Sequence, residues 1–247
     1  MPDWQADILM YHSISDAPGP TSIAPDIFAA QMQALANSGL PVVTPDALAA
    51  PPAPRVVIIS FDDGFADFAD TAWPILRDHG FCPIVYLPSG RMGHTDSWAG
   101  GHVPPRPLMG WDRVEALAAE GVCFGAHSVS HPDLTTLDPE MLEEEVTGSG
   151  QDITARLGQP IRHFAPPYGA SNNSVLRQIA QHYDTSVGTR LGAAGPGDDI
   201  HDLPRLEMFY FTDIARWKAY LAGRGKAYLA ARRMLRGVRA MVRGQPW

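Results

Sequence analysis

The sequence predicts an α/β protein, a distorted (β/α)7 barrel, closed or open, in a single domain. Two observations carry this reading. Short apolar runs alternate with segments of helical periodicity about seven times, a pattern that implies βαβ units, parallel strands and right-handed crossovers. The 247 residues are 45% hydrophobic and 19% charged, enough for one self-sufficient core, and barrels of this length commonly remain undivided.

The elements follow in order. ILMY near the N-terminus reads as the first strand. Pro25 to Ala36 reads as a helix with Phe28, Met32 and Leu35 on one face, stopped at Ser38-Gly39. VVIIS is apolar on both faces, as a buried parallel strand requires. Phe68, Ala72, Ile75 and Leu76 then recur at helical spacing until His79-Gly80. IVYL is the third strand, and a Gly/Pro-rich loop follows from Ser89 to Leu108. Trp111 to Ala119 is a helix, VCFGA a strand, and Pro139 to Leu157 a longer helix opened by acidic residues. IRHFA, TSVGT and RLEMF are the later strands, the first two separated by a helix around Val175 to Ala180.

Cys82 and Cys123 lie in the apolar runs CPIVYL and VCFGA, and are expected as buried free thiols. The N-terminus MPDWQADILMYH lacks the basic flank and apolar stretch of a secretory signal. No run approaches the ~18 apolar residues of a membrane span, so a cytoplasmic location is expected. The net charge of −8 is unevenly placed. Nine basic and no acidic residues lie after residue 213, which leaves −17 on everything before.

Chemistry enters with SFDDGF, residues 60–65. An Asp-Gly turn usually closes a hairpin, but FADFADTAWPILRDHG after it is helical, so no second strand is available. Asp62 and Asp63 therefore sit on a strand-to-helix loop at the carboxyl end of a parallel strand, the rim where barrels do chemistry. The plainer role, one aspartate capping the next helix, competes with this. A second signal, GAHSVSHPDL, places His127 and His131 four residues apart directly after another strand. On a helical turn both imidazoles would face one metal. Two histidines and a carboxylate make an open site for Zn²⁺ or a similar divalent ion. FAPPYGAS follows a third apolar run, where Pro166-Pro167 stiffens the chain and Gly169 permits a tight turn near Tyr168.

SFDDG, HSVSH and PPYG occur in the order and approximate spacing of the polysaccharide deacetylase family, carbohydrate esterases that remove N-acetyl groups from amino sugars. The sequence resembles this family over nearly all of residues 7–212, including ILMYHSIS, FAAQMQALANSGL and LPRLEM. It is most similar to the subgroup acting on poly-N-acetylglucosamine and other exopolysaccharides. The resemblance implies Asp63, His127 and His131 as metal ligands, Asp62 as catalytic base, and Pro167, Tyr168 and Gly169 as substrate-binding residues, with the Tyr168 N–H at the oxyanion. It implies Zn²⁺ first, with Co²⁺ or Ni²⁺ able to substitute. Ser128 is expected to orient the histidine loop.

Two departures stand out. Ala165 occupies the position where many members carry an arginine that orients the base, and the late histidine acid has no clear equivalent. His182 and His201 read as structural or solvated. Arg205, at the start of RLEMF, is the candidate replacement guanidinium, and His12, after ILMY, the candidate acid. The expected reaction is N-deacetylation of an acetylated glycan, oligosaccharide or glycolipid. O-deacetylation and a catalytically silent carbohydrate-binding barrel are the alternatives. Nothing aromatic and basic gathers near the rim, which argues against nucleic acid.

The barrel is expected to occupy residues 1–212, followed by a basic helical extension over 213–247. In the extension Trp217, Leu221, Tyr228, Leu235, Val238 and Val242 fall on one stripe, and Gly223, Gly225 and Gly237 each weaken the helix by ~1 kcal/mol. Packing of this stripe on the acidic body is expected, with contact to an anionic membrane surface as the alternative.

Overall fold

The computed structural model of the chain describes residues 4–98 and 104–243, with residues 226 and 238–243 described by their backbone alone. Seven parallel strands close into a barrel in sequential order. They are β1 (Gln5–Tyr11), β2 (Arg55–Phe61), β3 (Ile84–Leu87), β4 (Cys123–Ala126), β5 (His163–Phe164), β6 (Thr185–Leu191) and β7 (Leu203–Glu207). Closure is made by β1, which pairs with β2 from Gln5↔Arg55 to Tyr11↔Phe61 and with β7 at Leu9↔Leu206 and Met10↔Glu207. The option of an open barrel is thereby excluded.

Strand alternation divides the apolar residues into two layers. Ala6, Ile8, Val56, Ile58, Tyr86 and Leu203 fill the barrel, while Leu9, Tyr11, Val57, Ile59 and Phe61 pack outward beneath the helices. Gly125 of β4 belongs to the inner layer. A Cβ there would lie 2.5 Å from the Tyr86 ring and 2.9 Å from the His163 carbonyl, so the ring fits only against glycine.

The helices are α1 (Pro25–Ser38), α2 (Trp73–Asp78), α3 (Trp111–Ala119), α4 (Pro139–Leu157), α5 (Asn173–His182), α6 (Ile214–Leu221) and α7 (Lys226–Arg243). α1 starts with proline and ends at Gly39 in the left-handed region, φ 69°. Asp138 caps α4 by accepting from the Met141 N–H, and Asn172 caps α5 through the N–H groups of Ser174 and Val175. The segment before α2 is a wide turn, Phe68–Ala72, in which the Trp73 N–H reaches back to the Phe68 carbonyl. Pro74 has no N–H to continue a tighter pattern, which accounts for the widening.

Three expectations need correction. Arg205 lies in the middle of β7, because the strand begins at Leu203 and ends at Glu207, and Met208–Phe211 is a 3-10 turn. Cys82 and Cys123 are free but only partly buried; Cys82 Sγ donates to the Gly121 carbonyl at 3.2 Å, and burial pushes the Cys123 thiol up to about 12. The tail stripe breaks in two. Gly223, at φ 81°, separates α6 from α7, and Trp217 and Leu221 are buried whereas Leu235 is 57% exposed. The side chains of Val238 and Val242, and all of residues 244–247, lie outside the described residues. No helix among the described residues is long and apolar enough to cross a membrane.

α6 joins the helical layer against α1, where the buried Trp217 donates Nε1–H to the Gln31 carbonyl. Beneath it Asp7, fully buried, accepts from Arg55 Nε at 2.8 Å, Tyr220 Oη at 2.6 Å and Gln5 Nε2 at 2.9 Å. Asp7→Ala removes the carboxylate that Arg55 and Tyr220 share, leaving Arg55 only its bonds to the Leu221 and Tyr220 carbonyls of α6, with an expected loss of about 3 kcal/mol in urea unfolding. A loss close to zero would show that α6 is held without this carboxylate.

At the other end of the barrel, burial pushes the Glu207 carboxyl up to about 7, against the Phe209 N–H, Arg236 of α7 and Arg205, which pull it down. The unfolded carboxyl titrates near ~4.3, so the folded state binds more protons between the two values and stability falls as pH rises through that window. Glu207→Gln is therefore expected to raise the thermal midpoint relative to the native chain at pH 8 and to leave it unchanged at pH 4, followed by circular dichroism.

Candidate active site

Three loops at the carboxyl ends of β2, β4 and β5 meet at the barrel mouth, and each contains backbone that L-residues seldom adopt. The non-glycine residues with positive φ among the described residues are Asp63 (72°), Ser128 (65°), His131 (65°) and Tyr168 (60°). Left-handed backbone at such positions costs energy and persists only where surrounding contacts over-determine it.

Asp62 continues β2. Its N–H donates to the Tyr11 carbonyl at 2.9 Å, and it shares the inward direction of Ile58 and Ser60. There it meets Arg205, which is 1% exposed. Nη1 and Nη2 donate to the two carboxylate oxygens at 2.7 Å each, Nε donates to the Gly188 carbonyl at 2.8 Å, and Nη1 also reaches Ser60 Oγ at 3.2 Å. Burial raises the Asp62 carboxyl, but the guanidinium outweighs it and the net direction is down. His12 Nε2 stands 3.9 Å from Asp62 Oδ2. Burial lowers its imidazole against the upward pull of Asp63 and Asp62, so it is neutral near pH 7.

At Asp63 the left-handed turn sends the side chain to the other side of the loop. Its Oδ1 lies 3.3 Å from His127 Nε2 and 3.2 Å from His131 Nε2. One ligand atom from each residue falls within 4.8 Å of the others, and all three residues are buried. His127 Nδ1 is 2.6 Å from the Ala165 carbonyl, to which it donates, so its Nε2 faces the carboxylate with either a lone pair or a second proton. Asp63 Oδ1 is itself buried and makes no hydrogen bond of ordinary geometry. Acceptors converging on a buried oxygen need a cation between them, and two imidazoles with one carboxylate suit a divalent ion of the zinc type. The residues present fit such an ion.

The two histidines do meet, but not on a helical turn as their spacing predicts. The loop instead turns twice through left-handed residues, with Ser128 Oγ accepting from the His131 N–H at 3.0 Å. Glu145 of α4 braces it by accepting from the N–H groups of Val129 at 2.8 Å and Ser130 at 2.9 Å. Pro167 is buried, and the Tyr168 ring stands edge-on to His131 at 4.7 Å. Gly169, at φ 62°, has no room for a Cβ against Thr189.

Trp98 escaped sequence reasoning. Its indole stacks on His131 at 4.1 Å and 21°. Its loop is pinned by Asp96, 1% exposed, which accepts from Arg106 Nε at 2.9 Å, while the Arg106 guanidinium covers Phe65 at 4.2 Å. The local signal was a lone tryptophan in a Gly/Pro-rich loop, with nothing to assign it to the mouth. His201 is engaged elsewhere, with Nε2 3.0 Å from the Tyr183 carbonyl, and His182 ends α5.

The sequence profile of the family described as Polysaccharide deacetylase matches residues 49–187. That range contains both aspartates, both histidines and the Pro167–Gly169 turn, but not His12 or Arg205. YxkH of Bacillus subtilis (strain 168) is 25% identical over 221 residues, covering 87% of this chain and 75% of the relative. A chitooligosaccharide deacetylase of Rhizobium leguminosarum bv. trifolii is 38% identical over 123 residues, 49% of this chain and 50% of that protein. Among solved structures, the Streptococcus pyogenes deacetylase PplD in complex with acetate superposes with a TM-score of 0.72 at 26% identity, covering 83% of this chain and 92% of that one. IcaB from Ammonifex degensii shares the fold with a TM-score of 0.71 at 21% identity, over 87% of this chain and 97% of that one. With more than half its length matched by the family profile and the same barrel found in a deacetylase, the chain belongs to the polysaccharide deacetylase family and is a hydrolytic deacetylase.

Proposed function

We propose that the protein hydrolyses N-acetyl groups on an amino-sugar-containing glycan, oligosaccharide or glycolipid, using a divalent metal held by Asp63, His127 and His131 and Asp62 as the base. The observation that carries this reading is the divergence of two adjacent aspartates, one toward two imidazoles and the other onto a buried guanidinium. The chitooligosaccharide deacetylase relative and the acetate bound to PplD support the substrate class.

When bound, the ion supplies a Lewis acid that polarises the acetyl carbonyl and lowers the pKa of water at the site. Asp62, with its carboxyl held below the usual range, is ionised and takes the proton of the attacking water. Arg205 fixes both of its oxygens and so sets the direction of that transfer. His12, with Nε2 3.9 Å from Asp62 Oδ2, takes the proton from Asp62 in this reading and delivers it to the leaving nitrogen. The backbone N–H of Tyr168 donates to the oxygen on which charge develops. Trp98, stacked on the His131 ring, and Tyr168, edge-on to it, hold that imidazole in place.

Chelation followed by dialysis is expected to abolish acetate release, and Zn²⁺ or Co²⁺ to restore it. Asp62→Asn should lower kcat by ~10²–10⁴-fold with metal content unchanged, whereas Asp63→Asn should lose the metal. The reverse assignment of metal loss would exchange the two roles. Arg205→Lys keeps the charge but not the paired contact, and kcat should fall about 10²-fold with KM little altered. Unchanged turnover removes Arg205 from the mechanism. A free amine in the product of an acetylated glycan supports the reading, and a free hydroxyl overturns it in favour of ester hydrolysis.

A further inference from the structure

The last helix turns Arg232 and Arg236 toward the barrel and an apolar face outward. α7 packs on the barrel through Tyr228, Leu229 and Arg232. Tyr228 Oη donates to the Tyr210 carbonyl at 2.8 Å, and Arg232 Nε donates to Tyr228 Oη at 3.0 Å while its guanidinium lies 4.9 Å over the Tyr210 ring. Arg236, one turn on, lies near enough to Glu207 to act on its carboxyl. On the opposite side Ala227, Ala230, Ala231, Met234 and Leu235 are exposed. Met234 at 68% and Leu235 at 57% are the most exposed large apolar residues among those described, and Phe209 at 41%, beside Tyr210 in the chain, adds a third. A helix serving only to stabilise the barrel would present the reverse arrangement.

The charge around this face indicates what covers it. Lys218, Arg224 and Arg233 are exposed on the same segment, which carries nine basic and no acidic residues after residue 213. The nearest acid in sequence, Asp213, is already paired with Arg216 at 3.4 Å. A second copy seated here would bring two such basic segments together, which like-charge repulsion opposes. The rest of the chain, at −17, is repelled by an anionic surface and leaves only this segment to approach one. We propose that α7 docks the protein on an anionic membrane surface, with Met234 and Leu235 entering the headgroup boundary and the flanking basic side chains on lipid phosphates.

Vesicle co-sedimentation tests this, using vesicles of phosphatidylglycerol with phosphatidylcholine against phosphatidylcholine alone. The native chain should sediment with the anionic vesicles only, and release on raising salt to about 0.5 M. Met234→Glu with Leu235→Glu should cut the bound fraction about tenfold with the far-ultraviolet spectrum and thermal midpoint unchanged, and Met234→Trp should increase it. Absence of binding to anionic vesicles at low salt overturns the proposal, as does equal binding by the double variant. A lipid-free dimer dissolved by the same double substitution also overturns it and makes the face an interface between copies. None of these readouts depends on the reaction catalysed.

Discussion

The mouth of the barrel is organised around one buried ion pair. Arg205 brings a full positive charge to a position 1% exposed, where desolvation is expensive unless every donor is used. Its bonds to Asp62, Ser60 and the Gly188 carbonyl use four of the five, and the two short parallel contacts to Asp62 hold a carboxylate in one orientation and one charge state. Without that guanidinium, two neighbouring aspartates in a site of low polarity would repel, and one of them would take up a proton. With it, both can remain ionised and take different work.

Direction is supplied by the backbone. In a strand, successive side chains point to opposite faces, which already separates Asp62 from Asp63. The left-handed φ at Asp63, together with those at Ser128 and His131, brings three side chains from two loops onto one point. Tyr168, left-handed in turn, closes against the same imidazole. That all four non-glycine residues of positive φ among the described residues belong to this site is how binding geometry is made rigid before any ligand arrives. Second contacts keep the strain in place, Glu145 under the histidine loop and the Ala165 carbonyl behind His127.

The order of strands and helices was legible because periodicity records which face meets the core, although α5 was read only from Val175 and begins at Asn173. The two aspartates and two histidines were legible because short motifs sit next to recognisable strands. Other features depend on information that no short window holds. The turn between His127 and His131 carries no glycine at its left-handed positions, so its departure from a helix had no local mark. Trp98 reaches His131 only because Asp96 and Arg106 pin a loop whose tip has no periodicity. Of the amphipathic stripe expected in the tail, Trp217, Leu221 and Tyr228 do pack inward, but the left-handed residue Gly223 divides the helix and Leu235 is left outside.

Ala165 and Arg205 together show why the closed barrel matters to the chemistry. A small residue after β5 leaves only its carbonyl to serve the site, and that carbonyl is taken by His127. The guanidinium has to come from elsewhere. β7 is last and β2 second in the strand order, and in a sheet left open between β7 and β1 the arginine of one could not meet the aspartate beyond the other. They become neighbours across β1 alone, through the pairing of Leu9 with Leu206 on one side and with Ile59 on the other. Closing the barrel therefore does more than remove the sheet edges: it delivers Arg205 to Asp62, and an interruption of the β1–β7 seam would disarm the base without touching any residue of the metal cluster.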